Sequence, residues 1–381
     1  MLLNKTILHI SNGFCDSSVH SSLAMELDRL GLTQIVYCPV RSKEHIGKHQ
    51  FNGASISFVY SFCIKSWYKY VYHYKRMMLY RDMNRLIDLK QVDIIHAPTL
   101  FSDGSLAYSA FRQYKIPYIV AVRNTDINLF IKKLKHTHYL GREIAKNATK
   151  IVFISKGEML EFLQSDFVQP ILKDIKDKII LQPNGIDSFW IQNISTIPKR
   201  GHNVLYIGDF SDNKNVCRLA QAVMELRKEA SYSDARLIVI GGGKEKTSNT
   251  RDFIENHSEF IDYRGKIYDK SRLASIMNSC AVFAMPSIHE TFGLVYIEAL
   301  SQNLPVIYSK GQGIDGLFND SVGESVDPLS VNDIKEKIKK VFSNADSYSN
   351  QSVDFSSFDW SVIASNYLQY YKFTLRWEDS L

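Results

Sequence analysis

At 381 residues the chain is long enough for two ordinary domains and too long for one small core. Its 45% apolar and 23% charged residues suit a soluble globular protein and exclude a disordered or fibrous one, and no apolar run reaches the ~18 residues needed to cross a bilayer. Up to Gly185 there are 25 Lys and Arg against 15 Asp and Glu, and beyond it 21 against 25, so nets of +10 and −4 make up the total of +6.

Such asymmetry suggests that the first half faces an anionic partner, nucleic acid or membrane. No helix-turn-helix, zinc or RNA-recognition pattern accompanies it, so nucleic acid is not the expected partner. Met1 to Ile7 lacks the charged front and long apolar stretch of a signal peptide, which points to a cytoplasmic location. Cys15, Cys38, Cys63, Cys217 and Cys280 form no C-x-x-C pair, so neither a disulfide framework nor a thiolate metal site is expected.

In chain order, buried strands are expected at 6–10, 34–38, 55–60, 92–95, 118–122, 150–154 and 179–181, with helical spacing between most of them. Leu23, Leu27 and Leu30 before Gly31 are one example. Within 65–85, Trp67, Tyr70, Tyr74, Met77 and Arg81 recur every three or four residues, and Lys65, Lys69, Lys75 and Arg76 lie among them. That stripe fits either an anionic membrane surface or a helix packed into the domain interior.

Pro183-Asn184-Gly185 breaks the alternation and marks a hinge. Strands resume at 204–207, 236–240, 260–263, 281–285 and 305–308, and a last helix runs from Trp360 to about Leu375. Strand–helix alternation of this kind predicts an α/β fold with two Rossmann-like parallel sheets. The domains are residues 1–185, residues 186–360, and a C-terminal helix, 361–381, that returns to the first domain. A cleft at the carboxyl ends of both sheets would hold the ligand.

The densest chemical signal is AVFAMPSIHETFGLVYIEALSQNLPVIY, residues 281–308. A strand ends at Met285-Pro286-Ser287, a loop carries Glu290, and a helix opens near Thr291–Gly293. Phe292, Gly293 and Leu294 then set free N–H groups where a diphosphate can approach. Glu298, further along that helix, offers two acceptor oxygens to the hydroxyls of a ribose. Two glutamates eight apart are weak evidence alone; the ordered set of strand, loop, helix and next strand carries the signal.

That segment resembles the signature of the retaining glycosyltransferases called group 1 or family 4, which have the GT-B fold. Further matches are Asp93–Ala97 with Asp103-Gly104, Pro183–Asp187, Tyr206-Ile207-Gly208 with Lys214-Asn215, Ile240–Gly243, Tyr263–Ile267 and Phe358-Asp359-Trp360. The resemblance implies transfer of a sugar from a nucleoside-diphosphate donor to a hydroxyl acceptor. A lipid-linked or cell-envelope glycan is the expected acceptor, with no metal and no cofactor. It places Glu290, Lys214 and Asp126 in catalysis. Donor contacts are assigned to Glu298, Phe292, Gly293, Leu294, Lys214, Arg264, Gly265, Lys266, Gly241 and Gly208. Asn12, Gly13 and Arg123 fall on the acceptor or sugar-phosphate side.

The chain departs from the family pattern at two places. Asp209 stands where a phosphate-gripping arginine is expected, with Arg218 as one candidate substitute, and Arg123 stands where many members carry histidine. Asp126 matches but could equally cap a helix from Ile127. An epimerase or hydrolase of the same fold, or a non-catalytic nucleotide-sugar-binding protein, is the alternative function.

Overall fold

The computed structural model describes residues 5–65, 67–68, 71–243, 248–318 and 320–378. They form two compact units. One takes the chain up to Ile154, then Glu158–Gly185 and the segment from Trp360; the other takes Ser155–Gly157 and Ile186–Asp359.

The first unit holds seven parallel strands: β1 (Thr6–Ile10), β2 (Thr33–Pro39), β3 (Ile56–Ser61), β4 (Ile94–Ala97), β5 (Tyr118–Ala121), β6 (Lys150–Phe153) and β7 (Ile179–Leu181). Their spatial order is β3-β2-β1-β4-β5-β6-β7, so strand order reverses between β1 and β4. Central strands such as Thr6–Ile10 and Tyr118–Ala121 are apolar on both faces, as a sheet covered by helices on each side requires.

One face of this sheet packs on Phe101, Leu106, Phe153, Phe162 and Phe167. The other packs Ile7, Ile94, Ile119 and Val152 against Leu23 and Leu27 of the helix Ser18–Arg29 and against the C-terminal helix Trp360–Glu378. That last helix belongs to the first unit because Ile363, Ala364, Tyr367 and Tyr371 recur on one face and are buried there. Tyr371 shares a 2.9 Å hydrogen bond with His96 Nδ1, and Thr149 and Thr374 hydroxyls pair at 2.8 Å.

The second unit holds β8 (Asn203–Gly208), β9 (Arg236–Gly241), β10 (Ile261–Tyr263), β11 (Val282–Ala284), β12 (Val306–Ser309) and β13 (Gly323–Val326), in the order β10-β9-β8-β11-β12-β13. All pairings are parallel, and order reverses between β8 and β11. The sequence did not announce β13. Gly323-Glu324-Ser325-Val326 is short and polar, and Glu324 is held by Lys337, Lys340 and the Tyr348 hydroxyl instead of by an apolar face.

Candidate functional site

In the second unit the ends of β8, β9 and β10 meet through glycines. Gly241 N–H donates to the Gly265 carbonyl at 2.8 Å and Gly242 N–H to that of Gly208 at 3.3 Å. Gly241 has φ +133, and a Cβ there would lie 1.8 Å from the Gly208 oxygen, so only glycine fits. Gly208, Gly241 and Gly265, expected on the donor side, are thus brought together. Arg264 turns its guanidinium back onto Asp262, with bonds of 2.9 and 2.7 Å, and Lys266 runs beside Gly242.

Glu290 sits in the loop after β11, 9% exposed. Lys214 Nζ reaches its carboxylate at 2.7 Å, and Ser287 Oγ donates to the same oxygen at 3.2 Å. The helix begins at Leu294, one residue beyond the expected start, with Gly293 as its cap at φ +76. A Cβ on Gly293 would meet the Tyr296 ring at 2.5 Å and the Glu290 carboxyl at 3.3 Å. Glu290, Lys214 and the first free N–H groups of helix Leu294–Ser301 therefore share one corner of the unit. Phe292 is buried beneath it.

Two residues that frame this corner were not singled out from the sequence. Asn213 accepts from His289 N–H and donates to its carbonyl, while its own carbonyl accepts from Ile288 N–H. Gln312 accepts from Glu290 N–H at 2.7 Å and donates to the Ile288 carbonyl at 2.9 Å. Neither side chain is charged, and Gln312 lies 22 positions from Glu290, so no local pattern marks them.

Glu298 is half-buried beside Trp190. Burial pushes its carboxyl up to about 7 and Asp187 adds to the rise, while Lys270 and a hydrogen bond from Trp190 oppose it. Asp187 and Lys270 are themselves paired at 2.5 Å. Asp209, in the place of the expected arginine, caps a turn by accepting from Ser211 N–H at 2.8 Å. Arg218 donates to Asn215 and to the Pro328 carbonyl and lines a cavity with Ser211, Asp212, Gln221 and Thr250. Lys214 and Glu290 do not line that cavity, while their chain neighbours Asn215 and Ile288 do.

In the first unit two buried aspartates pin the strand ends. Asp103 accepts from both the backbone and the side-chain amide of Asn12, and from Thr99 Oγ1 at 2.8 Å. Asp126 accepts from the backbone N–H groups of Leu100, Phe101 and Arg123 at 2.9–3.0 Å. Burial raises both carboxyls to about 6 against these bonds.

This corrects the expectation for Asp126. Both its oxygens are committed to backbone donors and it is 1% exposed, so it positions the turns after β4 and β5 and does not offer a catalytic group. Nor does it cap a helix from Ile127. It is the first residue of a π-helical segment, Asp126–Ile131, whose cap is Thr125. Asn12 and Gly13 follow β1 and Arg123 follows β5, on either side of β4, and Asp103 and Asp126 tie Asn12 and Arg123 to the segment after β4.

The 65–85 stripe faces outward. Helix Tyr72–Leu86 buries Leu79 and Met83, while Trp67, Tyr74 and Met77 are 46%, 41% and 38% exposed. Trp67 and Tyr74 rings stack at 5.4 Å, and Arg81 is exposed. Lys69 and Tyr70 lie outside the described residues. The interior packing left open by the periodicity is therefore excluded for Trp67, Tyr74 and Met77. Among the described residues no helix is long and apolar enough to cross a membrane.

Residues 19–188 match the family model Glycosyltransferase Family 4, and residues 189–353 match Glycosyl transferases group 1. An uncharacterized glycosyltransferase of Methanocaldococcus jannaschii is 26% identical over 272 residues, covering 70% of each chain. The alpha-monoglucosyldiacylglycerol synthase of Streptococcus pneumoniae is 24% identical over 275 residues, covering 65% of this chain and 59% of that one. The structure of Anabaena HepE in complex with UDP and glucose superposes with a TM-score of 0.67 at 14% identity, covering 97% of this chain and 99% of the other. With two such sheets and consecutive matches over both halves, the chain belongs to the group 1, family 4 glycosyltransferases and has their GT-B fold.

Proposed function

We propose that this glycosyltransferase moves a sugar from a nucleoside-diphosphate donor to a hydroxyl with retention of anomeric configuration, on an acceptor presented at an anionic membrane surface. The observation that carries it is the Lys214–Glu290 pair at 2.7 Å beside the open N-terminus of helix Leu294–Ser301. The leaving diphosphate gains negative charge as the glycosidic bond breaks, and a fixed ammonium with aligned N–H groups stabilises that charge most in the transition state. Glu290 holds Lys214 before the donor arrives and lies on the sugar side of the phosphates. Glu298 accepts from the donor ribose hydroxyls.

The UDP-bound structural neighbour and the lipid-modifying relative support a nucleotide-sugar donor and a lipid-linked or envelope acceptor. The outward stripe of Trp67, Tyr74 and Met77 supports the membrane, because indole and phenol rings favour the headgroup layer. No metal and no cofactor take part in this scheme. A cytoplasmic location at the inner membrane face goes with it.

The test is transfer from a panel of nucleotide sugars to a lipid-linked acceptor, with product configuration read by NMR. Lys214→Ala should lower turnover by about 10²–10³-fold, the range for losing one transition-state donor. Glu290→Gln should also lower it, with the fold intact by circular dichroism. Full turnover in Lys214→Ala would refute this role, and sugar release without acceptor, undiminished by its omission, would favour a hydrolase.

A further inference from the structure

The outward face of helix Tyr72–Leu86 has a neighbour outside its own periodicity, the segment that follows β5. His73, in the first turn of the helix, meets His136, in the 3₁₀ turn Lys135–Thr137, with ring centroids 5.9 Å apart and ring planes at 62°. Both imidazoles belong to exposed residues. Beneath them the two elements are fastened together. The Tyr72 ring packs edge-on against Phe130 at 5.2 Å, Phe130 stacks on Phe101 at 4.6 Å, and the Tyr72 hydroxyl donates to the Phe101 carbonyl at 2.7 Å. Interior packing therefore sets where the two histidines stand.

The segment after β5 buries one side and charges the other. Its π-helical part, Asp126–Ile131, buries Ile127, Phe130 and Ile131 and leaves Leu129 41% exposed. Lys132, Lys133 and Lys135 follow, all exposed. Lys132 is engaged by Glu161 at 2.6 Å and by Asn128. Lys133 and Lys135 make no ion pair among the described residues. On the helix, Arg76 and Met77 stand three and four residues beyond His73 and share its face. The ring pair thus has cations on both sides of it, and no described carboxylate pairs with either histidine.

Such surroundings oppose protonation in the free protein. Burial first, then the charges of Arg76 and His136, hold His73 below its ordinary value. An anionic leaflet acts in the opposite direction. At a surface potential of about −30 mV it concentrates cations, protons included, roughly threefold over bulk. A lipid phosphate oxygen in contact also accepts a charge-assisted hydrogen bond that only a protonated, doubly donating imidazole pair can give in full.

We propose that the His73–His136 pair meets the phosphate headgroups of an anionic membrane and that docking takes up protons there. The proposal rests on the membrane reading above and adds its regulation. Because binding and protonation favour each other reciprocally, affinity for the membrane rises as pH falls. The segment after β5, with Lys133 and Lys135, is then the second element of the docking face, beside the aromatic stripe.

The full chain is sedimented with phosphatidylglycerol-containing vesicles, whose phosphodiester does not titrate in the range used, at fixed salt from pH 8 to pH 5.5. Calorimetry at pH 6.5 in two buffers of different ionisation enthalpy counts the protons taken up on binding. Affinity is expected to rise by about threefold or more on acidification, with measurable proton uptake. The double variant His73→Gln, His136→Gln should flatten the pH profile and abolish the uptake, while melting temperature and circular dichroism match the wild type. Neutral phosphatidylcholine vesicles should show no pH-dependent binding. Binding that ignores pH, proton uptake that persists in the double variant, or the same pH profile on neutral vesicles overturns the proposal and leaves the membrane reading standing. If the anionic vesicles fail to bind the protein at every pH, the membrane reading fails and the proposal falls with it, so the two failures are told apart.

Discussion

Glu298 carries the most informative titration in the second unit. Its folded pKa of about 7 lies above the ordinary 4.5, so the folded state binds a proton more tightly than the unfolded chain. The cost of ionising it is absent below about 4.5, grows as pH rises, and is complete above 7. Glu298→Gln should therefore raise stability at pH 8, on the order of 2 kcal/mol, with little gain at pH 4.5. If the ribose hydroxyls donate to the carboxylate, nucleoside-diphosphate affinity should climb with pH up to about 7 and level off, and the Gln variant should lose that slope. A thermal melt paired with a titration at pH 5.5, 7 and 8.5 checks both. A variant that is less stable at pH 8, or one that binds with the same pH profile, contradicts the assignment. The sequence marked Glu290, Lys214 and Glu298 because the family order around them is dense. It gave Asp126 a role its surroundings remove, since a fully engaged carboxylate and a poised one are the same letter.

Elements were legible where burial is symmetric and illegible where it is local. Strands such as Thr6–Ile10 stood out with their observed bounds because runs of β-branched and apolar residues need cover on both faces. The strand Gly323–Val326 did not, because its edge position is stabilised by ion pairs from a later helix. Periodicity alone could not say which way helix Tyr72–Leu86 turns. Its stripe has the spacing of a core face, yet Leu79 and Met83 hold the core and the aromatic face is free. Sedimentation with anionic liposomes should bring the protein down at low salt and release it as salt screens the charge. Reversing Lys65, Arg76 and Arg81 to Glu should abolish that, each cation near the surface being worth about 1 kcal/mol. Binding indifferent to those changes would leave the exposed rings without a membrane role.

The same scale applies to the C-terminal helix. Tyr371→Phe removes the hydroxyl that meets His96 Nδ1 in a fully buried setting, and should lower unfolding free energy by about 1–3 kcal/mol. A urea midpoint equal to the wild type would mean that water takes the hydroxyl's place.

At the scale of the whole molecule, the two sheets carry different charge and different unsatisfied chemistry. The basic half holds the outward aromatic helix; the acidic half holds Lys214 paired to Glu290 at the foot of a helix. Under the proposed function, donor and acceptor work would be divided between units that fold around separate sheets. The central claim is that the second unit grips a nucleoside diphosphate, and amide hydrogen exchange tests it most directly. UDP, GDP and ADP are screened, and exchange is compared with and without the tightest binder at saturation. Slowed exchange over residues 208–215, 263–267 and 287–298 is the expected result. Saturating ligand that leaves those segments unchanged, or slows exchange only in the first unit, would contradict it.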